Sequence, residues 1–239
     1  MGKEKRAKSN TRRRSIAAKA TDSNATGRKG FYSSDGSQLF PTIALSDAYN
    51  TIMHVCACRI TYSHNEFIGL GFLLVAAASF VGTLRFGFSE KAFATANGQL
   101  ASVAALVGLP CIGIANVERL LYSSSSLESS GSFQSATTLI ALVVSQICIN
   151  SMFSEAMKEI VTILINLGLF VIPTLYDGYL RNSSVEIISV VLFLVGAVVI
   201  GSDREKCFLG MRCENWFHYC LGTSAYFMAI EFAAALTTA

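Results

Sequence analysis

The chain has 239 residues, with 19 Lys and Arg against 16 Asp and Glu, so its formal charge at neutral pH is +3. Hydrophobic residues make up 52% of the chain and charged residues only 15%, whereas charged residues make up roughly 25% of a typical soluble domain. This composition argues against a soluble domain and predicts an all-α membrane protein, in which each span needs roughly 20 apolar residues.

The first predicted element, residues 1–38, is a disordered basic tail on the cytosolic side. Ten of the nineteen Lys and Arg precede residue 30, and so polar a segment buries too little apolar surface to fold. No apolar stretch follows these charges, so a cleaved secretory signal is not expected. Each Lys or Arg near an anionic leaflet contributes up to about 1 kcal/mol, and we therefore expect the tail to bind anionic lipids. Nucleic acid is not an expected partner, because no aromatic side chains alternate with the basic ones.

The tail contains one candidate phosphorylation site, Ser15. It follows Arg12, Arg13 and Arg14 in "RRRSI", which resembles the pattern that basophilic kinases recognise. A phosphate there would remove roughly 1.5–2 charges from the tail and weaken its contact with anionic lipid. The arginine triplet also resembles arginine-based retrieval signals of the endoplasmic reticulum. It favours that compartment or another endomembrane, with the plasma membrane as the alternative.

Seven apolar segments follow the tail and predict a seven-transmembrane-helix bundle over residues 39–239. The third segment is expected to kink at Pro110, because proline removes a helical hydrogen bond. A serine-rich linker at 122–132 separates the third segment from the fourth. The predicted spans are approximately 39–58, 67–84, 93–115, 134–153, 157–176, 185–202 and 216–236.

Basic residues in the short loops predict how the bundle is oriented. Cytosolic loops carry an excess of Lys and Arg. With a cytosolic N-terminus and seven spans, six loop residues fall on the cytosolic side and three on the opposite side. If the first segment did not span, every later loop would change sides and the excess would be reversed. The six are Arg85, Lys91, Lys158, Arg204, Lys206 and Arg212, and the three are Arg59, Arg119 and Arg181.

The first segment carries polar residues on one helical face. Asp47, Asn50 and His54 follow the spacing i, i+3, i+7. A charge at mid-membrane costs roughly 2.5–3.5 kcal/mol, so this face is expected to point into the bundle or a water-filled cavity. Asn166 in the fifth segment and Glu231 in the seventh are candidate partners. These five residues form the candidate intramembrane polar site.

Three functions remain open from the sequence. The leading hypothesis is a non-enzymatic, multi-pass protein of the endomembrane system that uses its polar interior for packing or for binding membrane-protein partners. The second is a small-solute or proton-coupled transporter or channel that uses Asp47 and His54. The third is an intramembrane lipid hydrolase. No catalytic residue, metal ligand or cofactor is predicted: the gaps of five, four and one residues between Cys207, Cys213, His218 and Cys220 do not fit zinc-site spacing.

Overall fold

The computed structural model describes residues 31–32, 38–124, 131–201 and 206–237, and these residues are mostly helical. The basic residues of the predicted tail and Ser15 lie outside the described residues. The all-α prediction is confirmed across the described chain by seven helices. In chain order they are α1 Pro41–Thr61, α2 Glu66–Gly87, α3 Glu90–Val103 with Ala104–Gly108 and Leu109–Ser124, α4 Gly131–Met152, α5 Glu155–Asn166 with Leu167–Val171 and Ile172–Leu180, α6 Ser184–Leu194 with Val195–Ile200, and α7 Cys213–Thr237.

Three helical stretches in the described residues are long and apolar enough to cross a membrane. They are Glu66–Gly87, Glu90–Leu120 and Ala156–Leu180. Two further stretches, Ile140–Ile149 and Ser184–Ile200, are apolar over a shorter length. The helices α1 and α7 fall outside this set because their buried polar residues lower their mean hydropathy. The number of spans therefore remains a prediction.

Six helices form a ring, and the seventh lies outside it. Around the ring the order is α1, α2, α3, α5, α6, α7 and back to α1, and α4 packs on the outer side of α3 and α5. Successive helices run in opposite directions. At the near end of the bundle α1 begins and α2 ends, and the Phe40 amide donates to the Phe86 carbonyl at 2.9 Å. At the far end α1 ends, and the Asn65 side chain caps α2 and donates to Glu118 at 3.2 Å.

The kink expected at Pro110 takes the form of a wide helical turn. A π-helical turn spans Ala104–Gly108, directly before Pro110, and a second spans Leu167–Val171, directly before Pro173. Proline has no amide proton and its ring clashes with the carbonyl four residues earlier, so the preceding turn widens to bond to a more distant partner. Both helices continue past their proline.

The hydrophobic core occupies the middle and far half of the ring. It contains large side chains such as Phe72, Ile112, Phe170 and Phe232, all of them buried. The helices α3 and α5 cross closely at Gly113, where a methyl group would overlap the Leu169 carbonyl. The near half has smaller apolar clusters, around Ile43 and Phe86 and around Val75 and Ala104, and it also holds buried polar residues of α1 and α7.

Two short strand pairs flank the bundle. The first, β1 Phe31–Tyr32 with β2 Gln38–Leu39, lies where the predicted tail meets the first apolar segment. The second pair, β3 Cys207–Phe208 with β4 Met211–Arg212, is a hairpin at the near end between α6 and α7. Its two turn residues have positive φ, 48° at Leu209 and 80° at Gly210, as a tight hairpin requires.

Candidate functional site: a polar cavity in the near half of the bundle

A cavity of about 380 Å³, here called the inner cavity, lies within the near half of the ring. Side chains of α1, α2, α3, α6 and α7 line it. Most of the lining is apolar, but six polar side chains reach it, which is the usual composition of a ligand pocket. They are Asp47 and Asn50 of α1, Ser79 of α2, Asn97 of α3, and Glu214 and His218 of α7.

The helices α1 and α7 supply the ionisable groups at similar depth, because both begin at the near end and run side by side. Glu214 and His218 are four residues apart and so project from the same face of α7. His218 Nε2 lies 3.3 Å from Asp47 Oδ1. The other ring nitrogen, Nδ1, lies 3.1 Å from the Ser46 hydroxyl. His218 thus lies between two consecutive residues of α1.

A glycine brings the Asp47 carboxylate against α2. A methyl group on Gly82 would lie 2.5 Å from Asp47 Oδ2 and 2.8 Å from Cγ, so no larger residue fits without moving the carboxylate. Both Asp47 and Gly82 are buried. Glycine at this position lets the α1 carboxylate lie directly against the α2 backbone.

Asn50 joins the site to α2 and retains one unused acceptor. Its amide group donates to Ser79 Oγ at 2.6 Å. Its Oδ1 atom is buried and has no hydrogen-bond partner among the described residues. A buried acceptor without a partner costs about 1–3 kcal/mol, so such an atom calls for a ligand or water. Asn50 lines the inner cavity, and its Oδ1 atom lies close to α7, 3.1 Å from the position that a methyl group on Gly222 would take.

The lining of the inner cavity is acidic. Asp47 is 3% exposed and Glu214 is 6% exposed, and no Lys or Arg of the described chain lines the cavity. The nearest arginine at its border is Arg85, which donates to Glu90 at 3.1 Å and to Asn97 at 3.1 Å. The Arg85 guanidinium also lies over the Phe86 ring, 4.9 Å from its centre. Arg85 therefore already has an anionic partner outside the cavity.

The five residues predicted as one polar site occupy different places. Asp47 and Asn50 line the inner cavity, but His54 does not. His54 lies seven residues from Asp47, about 10.5 Å along the helix, too far for contact. Its Nδ1 atom lies 2.9 Å from the Asn50 carbonyl, and its ring packs edge-on against Phe72. The structure therefore pairs Asp47 with His218 and places His54 in the core.

The other two predicted partners also lie away from the inner cavity. Asn166 is half-buried on α5, directly before the π turn, and its Oδ1 atom has no hydrogen-bond partner among the described residues. Glu231 lies at the far end, where it accepts a hydrogen bond from Ser183 Oγ at 2.8 Å. Asp47 and Asn166 are on helices that are not neighbours in the ring.

The predicted five-residue site omitted four of the six polar side chains that line the inner cavity: Ser79, Asn97, Glu214 and His218. Glu214 was missed because the seventh segment was predicted to begin at residue 216, whereas α7 begins at Cys213. An earlier start would have placed Glu214 and His218 on one face at the depth of Asp47. Ser79 lies in an otherwise apolar segment, and nothing in the sequence connects it with Asn50.

A second polar cluster closes the far end of the ring. Arg119 of α3 contacts Asp177 of α5 and donates to Glu186 of α6 at 2.9 Å. Arg181 contacts the same two carboxylates. The Arg119 guanidinium also lies over the Phe232 ring of α7, 4.6 Å from its centre. Two arginines and two carboxylates thus form a charge-balanced network that joins α3, α5 and α6.

No group of three or more His, Cys, Asp or Glu side chains in the described residues is arranged to hold a metal ion. Comparison with known protein families, with curated proteins and with solved structures gives no match to this chain. The function is therefore argued from the geometry of the inner cavity and of the two ends of the bundle.

Proposed function

We propose that the chain is a seven-span integral membrane protein that binds a small cationic solute in the inner cavity and carries it across the membrane. The observation on which this depends is the acidic lining. Two buried carboxylates and a histidine face one cavity, and no Lys or Arg of the described chain lines it. Asn50 Oδ1 adds an acceptor that no described side chain or backbone group uses.

Burial of these carboxylates costs solvation free energy, and a bound cation would reduce that cost. An isolated charge removed from water loses several kcal/mol of solvation, which only a close opposite charge recovers. Ionisable side chains inside a membrane bundle commonly mark the path of a substrate or ion. His218 Nε2 lies 3.3 Å from Asp47 Oδ1. A cationic solute in the inner cavity would add positive charge close to both carboxylates.

The two ends of the bundle differ in a way that suits transport. The far end is joined by the network of Arg119, Arg181, Asp177 and Glu186. At the near end, the first half of α5 (Glu155–Asn166) has no extended packing contact with α6. Only 17% of the apolar stretch of α5 is buried, against 56% for those of α2 and α3. Such a difference between the two ends would suit a transporter, in which one part of the bundle moves against the other.

Membrane insertion of all seven helices is part of this proposal. The polar face of α1 points inward, while Leu45, Ile52 and Val55 point outward and are exposed. A helix in water would have the reverse arrangement, so lipid is the environment that suits α1. We also propose a cytosolic near end and residence in the endoplasmic reticulum or another endomembrane, on the loop charges and the arginine-rich tail.

The test uses the purified full-length protein in liposomes and tetramethylammonium, a permanent cation that does not cross lipid unaided. We expect saturable uptake into protein-containing liposomes and its loss in Asp47→Asn and Glu214→Gln. Glu66→Gln is the matched control, because Glu66 is exposed at the far end and does not line the cavity. Absence of both binding and uptake of tetramethylammonium in the unmodified protein would reject the proposal.

A second candidate, a serine-dependent lipid hydrolase, is favoured by one observation. His218 lies between the Ser46 hydroxyl and the Asp47 carboxylate, the three residue types of a Ser-His-Asp triad, but with the ring nitrogens exchanged: Nδ1 faces Ser46 and Nε2 faces Asp47. However, Ser46 is fully buried and does not line the inner cavity. Its hydroxyl lies 2.9 Å from the Ile43 carbonyl and 3.4 Å from Asn215 Oδ1, two acceptors that compete with His218 for its one proton. We expect no labelling of Ser46 by a fluorophosphonate, and labelling abolished by Ser46→Ala would favour the hydrolase.

A further inference from the structure

A second and larger cavity lies beside the first. This outer cleft has a volume of about 1320 Å³ and is bounded by α3, α4, α5 and α6. Its polar and apolar side chains lie at overlapping depths along α3 and α5, and two charged residues, Lys158 and Glu159, belong to the first two turns of α5. The polar group includes Gln99, Ser102, Glu159 and Thr162, and the apolar group includes Val103, Leu106 and Ile163.

The near half of α3 forms the wall between the two cavities. Ala101, Ala104 and Ala105 line the inner cavity, while Gly98 and Ser102 line the outer cleft. With a cavity on each side, the segment Glu90–Val103 has no buried residue. This half of α3 is therefore held mainly by α2, and it does not pack extensively against α6.

One residue of α6, Ala197, lines both cavities. Opposite it, α3 presents Ala101 and Ala105 to the inner cavity, so small side chains bound the gap between α3 and α6. The next residue, Val198, is 75% exposed and points outward. Ala197 is thus a point at which the inner cavity and the outer cleft adjoin, next to an exposed position of α6.

We infer that the inner cavity binds a single-chain cationic amphiphile, with its charged head at Asp47 and Glu214 and its hydrocarbon chain passing Ala197 into the outer cleft. The inference rests on the proposed function, since it specifies the class of cation that the cavity takes. An amphiphile dissolved in one leaflet reaches such a site sideways from the bilayer.

The distribution of polarity within the inner cavity supports this orientation. Its ionisable groups belong to α1 and α7, whereas the walls contributed by α3 and α6 are apolar apart from Asn97 and include Leu109 and Phe193. A head held at the carboxylates would therefore have apolar surface in the direction of Ala197. The inner cavity, about 380 Å³, lies near the lower end of the roughly 300–1,000 Å³ range of small-molecule pockets. It suits a head and a short piece of chain, and the outer cleft supplies room for the rest.

Two ligands with the same cationic head test separately whether the head and the hydrocarbon chain are bound. Dodecyltrimethylammonium and tetramethylammonium differ only in the hydrocarbon chain, and dodecanoate has a chain with an anionic head. Binding is measured to the full-length protein in nanodiscs of zwitterionic lipid. A dodecyltrimethylammonium analogue with a diazirine near its chain end serves as photolabel, and labelled peptides are mapped by mass spectrometry. We expect labelling around Val103 and Ile163, and competition by the dodecyl cation at least tenfold stronger than by tetramethylammonium or dodecanoate.

Substitutions test the route at Ala197. Ala197→Phe should remove the advantage of the dodecyl chain, measured as the ratio of dodecyltrimethylammonium affinity to tetramethylammonium affinity in the same variant. Val198→Phe is the matched control, because it adds the same ring one residue away on an exposed position, and it should leave this ratio unchanged. Asp47→Asn should abolish the specific labelling, whereas labelling that persists in this variant would show simple partition into lipid and overturn the inference.

The outcomes also distinguish this inference from the proposed function. If tetramethylammonium binds and the dodecyl cation binds no more tightly, the inference that the cavity binds an amphiphile is wrong, and the proposed function stands. If Ala197→Phe and Val198→Phe behave alike, the chain does not pass between α3 and α6. If neither cation binds the unmodified protein, both the inference and the proposed function fail.

Discussion

Asp47 shows how one buried charge is positioned by neighbours that are small or polar. Its carboxylate has His218 on one side, at 3.3 Å, and the α2 backbone at Gly82 on the other. Asn50, one helical turn further along α1, is fixed by Ser79. Each of these contacts is made with another helix, so the position of Asp47 depends on how α1, α2 and α7 pack together.

The first prediction concerns Gly82→Ala, which should destabilise the protein by about 1–3 kcal/mol, the usual cost of overpacking a close contact. The added methyl group would lie 2.5 Å from Asp47 Oδ2, so either the carboxylate or α2 must move. The measurement is the free energy of unfolding of the purified protein in mild detergent.

Gly168→Ala is the control for this prediction, because a methyl group on Gly168 of α5 meets no atom within 4 Å. Replacing glycine by alanine in an open helical position stabilises by about 0.4–1 kcal/mol through the unfolded chain. The two substitutions should therefore have opposite signs. Equal effects would mean that Gly82 is not in close contact with Asp47.

At the scale of the helices, the sequence predicts some features of the bundle and leaves others open. The seven apolar segments and the inward-facing Asp47, Asn50 and His54 follow from length and helical spacing alone. The contact between Asp47 and His218 does not, because helical spacing relates residues within one helix and says nothing about neighbours in the ring. Glu214 was left out of the predicted site because the predicted start of α7 was three residues too late in the chain.

The far-end network is another feature that spacing could not reveal. Arg119 was counted as a loop residue, yet its side chain is only 8% exposed and it joins α3 to Asp177 and Glu186. The apolar segments on either side do not indicate that three helices bring opposite charges to one point. The sequence does show that Asp177, Arg181 and Glu186 are close to one another in the chain, on either side of the short connection between α5 and α6.

The second prediction compares two carboxylate-to-amide changes at opposite ends. Asp177→Asn should cost about 3–5 kcal/mol, because it leaves Arg119 buried without one of its partners. Glu90→Gln should cost at most about 1 kcal/mol, since partly exposed ion pairs contribute little. The Asp177 side chain is 1% exposed, whereas those of Arg85 and Glu90 are 18% and 31% exposed.

Both variants are measured as free energies of unfolding of the purified protein, each relative to the unmodified chain. The comparison is matched, because each change replaces one carboxylate oxygen by an amide nitrogen and keeps the size of the side chain nearly constant. A cost for Glu90→Gln as large as that for Asp177→Asn would contradict the view that the far end is the more tightly joined of the two.

For the molecule as a whole, the proposed transport function requires that its two ends face different compartments. Of the three basic residues assigned to the far side, Arg119 and Arg181 belong to the buried network, which leaves Arg59 as the one exposed at its helix end. The near end holds Arg85, Lys91, Lys158 and Arg212. The helix α1, which follows the predicted basic tail in the sequence, also begins at this end. This distribution strengthens the expected excess of basic residues on the cytosolic side.

The last prediction is that the N-terminus is cytosolic and the C-terminus lies on the opposite side of the membrane. Seven spans require this, and the loop charges give the direction. Tags at the two ends of the full-length protein should differ in their protease protection in sealed vesicles. Asn182, in the short connection between α5 and α6, should be poorly glycosylated: it has φ 54° and the next residue, Ser183, caps α6. Equal protection of both tags would overturn the seven-span arrangement, and a glycosidase-sensitive shift lost on Asn24→Gln would reverse the orientation.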